Sequence, residues 1–263
     1  MTTANALPDT DDAVRPHRGI QALDTAVDVL DCFTLDTRLG VTDIARRLGV
    51  SKSTAHRVLT TLCERGLTAQ DPATGLYQLG VHHFELGQLA QERNALRLAA
   101  MPLLSDLQSR TGLTIYLSVP DGADIVHLAR LETPHPQERV LINGHRLPSH
   151  TCASGHAIAA YRAEFAHTRR SAGYPPRTVR TIRTEEAFDH ALRHTRQVGY
   201  GVVYEEAVPG VIAIAAPVRP RPQAAIAALC VAGSTSRLSG EERALGTLLT
   251  AAANRLGRIS DER

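Results

Sequence analysis

Several features that would narrow the function of a 263-residue chain are scarce here. The four cysteines, Cys32, Cys63, Cys152 and Cys230, form no CxxC pair, so no disulfide framework can be read from their spacing. They read instead as reduced thiols in a cytoplasmic protein, most of them buried as small apolar groups. No uninterrupted apolar run approaches the ~20 residues of a membrane span, so no membrane partner is expected. The opening residues, MTTANALPDTDDAVRPHRG, place acids before arginines and lack an apolar core. That excludes a signal peptide, and residues 1–18 are expected to form a disordered tail. Charge of one sign is also missing: a net charge of +2 and a pI near 8.4 are too mild to announce nucleic acid. Lysine occurs once, at Lys52, and arginine supplies the remaining basic charge.

What is present is a hydrophobic fraction of 43% with 21% charged residues, enough for a well-supplied core and, at this length, for two domains. The cations cluster locally, with Arg46, Arg47, Lys52, Arg57 and Arg65 in one short stretch, VTDIARRLGVSKSTAHRVLTTLCER. This stretch reads as two helices joined by a tight turn. Thr42 is placed as N-cap of the first, whose Ile44, Ala45 and Leu48 share a face, and Gly49 ends it. Ser51 caps the second. There Ala55, Val58, Leu59 and Leu62 recur at spacings of three and four, which turns Lys52, Ser53, His56, Arg57 and Thr60 outward. A helix-turn-helix needs this division: an apolar face docks the second helix, and small hydroxyls with a few cations fit a major groove. An ordinary amphipathic helix pair shares the pattern. The weight shifts with the next segment, where Leu67–Gln70 and Leu76–Leu79 read as brief strands around Asp71-Pro72-Ala73-Thr74-Gly75. A hairpin directly after a helix-turn-helix is a wing, with Thr74 and Tyr77 placed to reach a phosphate backbone. Arg38, in the preceding loop, is either a phosphate contact or a solvated arginine.

Ordered structure is expected from Ile20. Leu23, Ala26, Val27, Leu30 and Phe33 repeat with helical period over a first helix ending near Thr34, with a stripe wide enough for a dimer contact. After Gly80 a long helical pattern runs to Gly112, and Pro102 is expected to break it into a linker helix and the first helix of a second domain. From Leu113 the period turns to β: two strands around Pro120-Asp121-Gly122, a further strand over Arg139–Asn143, then LPSHTCASGHAIAAY with Ser154 as helix cap. Little can be assigned between Arg162 and Arg183. A helix capped at Thr184 closes at Gly199. Strands follow over Tyr200–Tyr204, Val211–Val218 and Ala224–Ala232, then a closing helix from Ser239 to about Arg258. This is an α+β domain with a mixed or antiparallel sheet covered by helices on at least one face.

RGIQALDTAVDVLD, DIARRLGVSKSTAHRVLTTLCERGL, DPATGLYQLG, LPSHTCASGHAIAAY, GYGVVYEEAVPGVIAIAAPV and AALCVAGSTSRLS occur in one order from Arg18 to Leu256. With these motifs the chain resembles a transcriptional regulator of the IclR type. The resemblance implies a winged helix-turn-helix domain (19–80), a linker helix (81–98) and a GAF-like effector-binding and oligomerisation domain (99–263). It implies a dimer or tetramer acting as repressor or activator on double-stranded operator DNA, with no cofactor and no metal. By position, Ser51, Lys52, Ser53, Thr54, His56 and Arg57 would read DNA, with Arg38, Thr42, Thr74 and Tyr77 at its edges. The effector pocket would be walled by Leu147, Ala153, Ser154, Gly155, Val203, Ala213, Cys230 and Ala232. Val203 stands where members that bind small carboxylates place an acid, and Ala213 and Ala232 replace small hydroxyls. A wall with so few buried donors disfavours small, strongly solvated acids and favours a larger, apolar or aromatic effector.

Other readings compete. His150, Cys152, Ser154 and His156 crowd one loop and could make a nucleophile with its base, giving an enzyme of the C-terminal domain; adjacency alone supplies neither an orienting group nor an oxyanion site. His190 and His194 lie four apart on a helix without a third ligand at recognised spacing, so they read as a solvated face, and His82 and His83 in the linker read as surface or dimer-contact residues. Glu205 and Glu206, adjacent in sequence, read as part of a loop over the pocket and not as an acid-base pair. A protein-interaction module is the remaining alternative.

Overall fold

The structure, a computed structural model, describes residues 20–134, 146–220 and 224–261. The expected N-terminal tail and the strand expected over Arg139–Asn143 lie outside these residues. The chain forms two compact units, the first ending at Ala90 and the second beginning at Gln91.

In the first unit, α1 (Gln21–Asp31) and a 3-10 turn ending at Thr34 precede α2 (Val41–Leu48) and α3 (Lys52–Glu64). α2 begins two residues earlier than its hydroxyl suggests. Gly40, not Thr42, is the N-cap, its carbonyl accepting from Asp43 and Ile44 N–H, and Thr42 is exposed in the first turn. Asp43 then supplies the negative charge that the positive helix start favours. Gly49, at φ 66°, ends α2 in the left-handed conformation that glycine adopts without a Cβ penalty. Strands β1 (Thr68–Gln70) and β2 (Tyr77–Leu79) pair antiparallel as the wing. One core joins all these elements: Val29, Phe33, Leu39, Ile44, Ala45, Ala55, Leu59, Leu62 and Tyr77. Gly80 passes so close to the Gly66 carbonyl that a Cβ would lie 2.0 Å from that oxygen. The wing can therefore leave the domain only through glycine.

α4 (His82–Arg93) and α5 (Ala95–Thr111) follow. The break between them falls at Asn94, not at Pro102. The Asn94 side chain accepts from the Arg97 N–H, a strong N-cap, whereas Pro102 sits inside α5. Leu98, whose carbonyl Pro102 deprives of an intrahelical donor, is an exposed residue, which makes the proline tolerable.

The second unit holds a six-stranded antiparallel sheet in the order β5-β4-β3-β8-β7-β6. The strands are β3 (Thr114–Asp121), β4 (Asp124–Leu131), β5 (Arg146–Pro148), β6 (Gly201–Tyr204), β7 (Val211–Val218) and β8 (Ala227–Ser234). β3 continues through Pro120 and Asp121, so the turn to β4 is Gly122-Ala123. The helices are α6 (Ala153–Ala159), α7 (Ala163–Ser171), α8 (Glu185–Val198), α9 (Thr235–Leu238) and α10 (Glu242–Asp261). α7 lies in the stretch the sequence left unassigned; α10 is the expected closing helix, begun at Glu242, and α9 is a short turn ahead of it. α8 is capped by Thr184, which accepts from Ala187 N–H, and ends at Gly199.

Helices cover both faces of the sheet, and strand alternation gives those faces different sizes. Ile115, Leu117, Ile212, Ile214, Leu229 and Val231 pack with α5 and α10. On the opposite face β7 and β8 present Ala213, Ala215, Ala228, Cys230 and Ala232 towards α6, α7 and α8. The small side lets α6 sit close: a Cβ on Gly201 of β6 would lie 2.9 Å from the Ala153 carbonyl oxygen of α6.

Candidate nucleic-acid interface and buried cavity

The exposed side of α3 is assembled from its own first turn. Ser51 Oγ accepts from Thr54 N–H at 3.1 Å and lies 2.8 Å from Ser53 Oγ and 2.9 Å from Thr54 Oγ1, so the three hydroxyls form one cap cluster. Ala55, Leu59 and Leu62 are buried beneath, while Lys52, Ser53, His56, Arg57 and Thr60 are exposed. Thr54 is half-buried within the cap. Neither Lys52 nor Arg57 forms an ion pair with a described residue. Other cations of the cluster are engaged: Arg46 with Asp43 at 2.6 Å, Arg47 with Asp36 at 2.6 Å and Arg38 with Asp71 at 3.3 Å. Among the described residues the unpaired cations of this stretch are Lys52 and Arg57 on the outer face of α3, where the helix dipole adds to Lys52, and Arg65 at its end. In the wing turn Asp71 accepts from Ala73 N–H, which with the Thr74 hydroxyl holds its carboxyl below the usual range. Thr74 is exposed there. Tyr77 is not available as expected: at 2% exposure it belongs to the core, because β2 pairs across to Leu39 and the alternation turns its ring inward.

In the second unit, Leu147, Ala153, Ser154, Val203, Ala213, Cys230 and Ala232 line one enclosed cavity of about 30 Å³. Gly155 does not join them; it faces the Ser149 carbonyl. Ser154 is not a cap either. Cys152 holds the N-cap position without a side-chain bond, and Ser154, inside α6, turns to the sheet. The wall also contains Cys152, from the crowded loop, and Tyr116, His127, Ala207, Val208 and Val211, which residue-by-residue reading missed. Register brings Tyr116 in opposite Cys230, and His127 and Val211 also lie on strands, whereas Ala207 and Val208 come from the loop between β6 and β7.

A hydrogen-bonded polar chain runs along the wall. Ser118 Oγ lies 2.9 Å from His127 Nδ1 and 3.0 Å from Ser154 Oγ, and Ser154 is hydrogen-bonded to the Cys230 thiol. Tyr116 and His127 rings stand 4.6 Å apart. Burial pushes the Tyr116 hydroxyl and the Cys230 thiol each up to about 12, so both stay uncharged. Cys152 is driven upward further by the same cause, and its Sγ rests near the Pro148 and Ser149 carbonyls. His150 Nε2 bonds the Pro175 carbonyl and His156 Nε2 the His150 carbonyl; burial pulls His156 down to about 4.

Residues 205–210 close the cavity with Ala207 and Val208. Thr178 Oγ1 donates to the Glu205 carbonyl at 2.7 Å and Thr181 Oγ1 to the Glu206 carbonyl at 2.8 Å. Glu205 sits at φ 61° with its carboxylate accepting from Gly210 N–H. Glu206 is pushed up to about 8 by burial, against a bond from Ile182 N–H, and its Oε2 has no hydrogen-bond partner among the described residues.

Residues 22–72 match the IclR helix-turn-helix domain model, and residues 88–258 match the model of the bacterial transcriptional regulator IclR C-terminal domain. The chain is 35% identical over 228 residues to the HTH-type transcriptional regulator XynR of Escherichia coli, covering 86% of this chain and 90% of that protein. It is 33% identical over 225 residues to the glycerol operon regulatory protein of Streptomyces coelicolor, covering 85% and 89%. A crystal structure of an IclR-type transcriptional regulator from Alicyclobacillus acidocaldarius superposes with a TM-score of 0.81 at 27% identity, over 92% of this chain and 99% of that one. An IclR homologue from Microbacterium hydrocarbonoxydans complexed with 4-hydroxybenzoate gives 0.76 at 27%, over 92% and 99%.

Proposed function

The chain belongs to the IclR family of bacterial transcriptional regulators, and from that premise we propose residue roles for its DNA-binding and effector domains. Lys52, Ser53, His56 and Arg57 enter the major groove, with Ser51 and Thr54 fixing the start of α3. Arg38, Thr42 and Thr74 stand at the phosphate edges. The observation that carries this is the exposed, unpaired Lys52 and Arg57 beside the cap cluster. Dimeric helix-turn-helix proteins read paired half-sites, and a symmetric dimer, alone or doubled into a tetramer, would supply two such helices. The exposed Ile20, Leu23 and Val27 on and beside α1 support self-association.

The cavity under residues 205–210 is the effector site, and its apolar wall favours an aromatic or otherwise apolar metabolite. The effector acts by differential affinity for two states of the regulator that differ in DNA affinity. Catalysis is not assigned to it. Cys152 is held as a buried thiol, and His150 and His156 spend their Nε2 atoms on carbonyls. The four cysteines are free, which agrees with a cytoplasmic place; among the described residues no helix is long and apolar enough to cross a membrane.

Fragments retained from genomic DNA by the purified protein give the operator. Arg57→Ala should weaken that operator by about 1–3 kcal/mol, roughly ten- to a hundredfold, with assembly unchanged. Lys52→Ala should lower the slope of affinity against salt by about one. An unaltered footprint in Arg57→Ala overturns the assignment of α3, and turnover lost in Cys152→Ser would favour the enzyme instead.

A further inference from the structure

The cavity walls carry polar groups, yet almost all of those groups already serve one another. Ser118 is shared between His127 and Ser154, and Ser154 also serves Cys230. The exception is the hydroxyl of Tyr116. Its residue is 1% exposed, it lines the cavity, and the hydroxyl finds no hydrogen-bond partner among the described residues. A buried hydroxyl left unmatched is unfavourable, so its retention in a site that binds ligands points to a partner carried in by the ligand. The sign of that partner is constrained as well. No lysine or arginine is among the lining residues. The Arg130 guanidinium, 5.7 Å over the Tyr116 ring, is already paired with Glu132 at 3.4 Å, so a carboxylate would lose its hydration there without a cation of its own, whereas a carbonyl needs one donor.

Resting on the reading of this cavity as the effector site, we propose that it takes an uncharged ring compound bearing a carbonyl acceptor, a carboxamide or lactone, and that Tyr116 O–H is the hydrogen-bonding anchor for that carbonyl. The closed cavity has room for about one water, so such a ligand enters only with displacement of Ala207 and Val208. Tyr116 then acts as a specificity determinant: it distinguishes a neutral acceptor from the corresponding acid on the same ring.

Benzamide and benzoate are the probes, titrated calorimetrically into the full-length protein and into Tyr116→Phe and Ala232→Leu. Saturable benzamide binding, tighter than benzoate, is expected in the wild type. In Tyr116→Phe it should weaken about tenfold or more while the ligand-free melting temperature stays level or rises, since an unmatched hydroxyl has been removed. Ala232→Leu, which fills the cavity, should abolish it. Benzoate binding as tight as benzamide, no saturable benzamide binding, or benzamide affinity unchanged in either variant overturns the proposal. A lower melting temperature in Tyr116→Phe without ligand also overturns it, because the hydroxyl would then have a partner inside the protein. Loss of operator retention by the ligand-free protein would instead count against the regulator reading, whatever the titrations show.

Discussion

The outer face of α3 and the cavity beneath residues 205–210 are opposite solutions to making a binding surface. The first is convex, charged and built by one short segment, Ser51 to Thr60, above a core of Ala55, Leu59 and Leu62. The second is concave, neutral and gathered from β3, β4, β6, β7, β8, α6 and the 205–210 loop, elements spread across more than a hundred residues. A ligand that carries one charge per phosphate suits unscreened cations in water; a small metabolite is held by exclusion of water and a few matched polar atoms. The two surfaces should therefore fail separately.

The largest effect expected is in the support of the first. Leu59→Ala should destabilise the N-terminal unit by about 2–5 kcal/mol, read from chemical denaturation, and leave probe binding at the cavity intact. A parallel loss at the cavity would break the contrast. Ala232→Leu overfills the small-residue face and should cost about 1–3 kcal/mol in the C-terminal unit, while ligand-free operator binding persists. A third effect, on pH dependence, is confined to the cavity lid. The Glu206 carboxyl is held up to about 8 in the folded protein against about 4.3 when unfolded, so the native state keeps a proton that the unfolded chain releases. Its contribution to stability falls as pH rises between those two values and is level above them. Glu206→Gln should flatten that decline, measured as urea midpoints at about pH 5 and pH 8.5, without altering the salt dependence of DNA binding.

The same contrast explains what could be read from residue order. Ser51 with Thr54, Thr184 with Ala187, and Gly49 or Gly199 act within four residues, so α3 and α8 were legible from local chemistry. The short apolar runs of β7 and β8, buried on both faces, were equally plain, and with them the α+β class. Contacts set by register were not. Tyr77 reads as a wing residue until its pairing with Leu39 turns it into the core, and Tyr116 and His127 reach the cavity only through antiparallel neighbours far along the chain. Pro102 misled because a nearby stronger signal, the Asn94 cap, had already ended α4. Gly155 was grouped with the cavity by sequence neighbourhood, whereas its real constraint is the backbone of Ser149. Arg46 and Arg47 looked like part of a cationic footprint until their carboxylate partners were in place.

One compositional oddity acquires a use from its position. Because the solitary lysine stands exposed at the first residue of α3, amine-selective reagents have a single side-chain target in the polypeptide, and that target is on the face assigned to duplex recognition. Acetylation or a fluorophore at that nitrogen would remove a charge from the groove-facing end of the helix and nowhere else, turning one covalent event into a direct report of occupancy by nucleic acid.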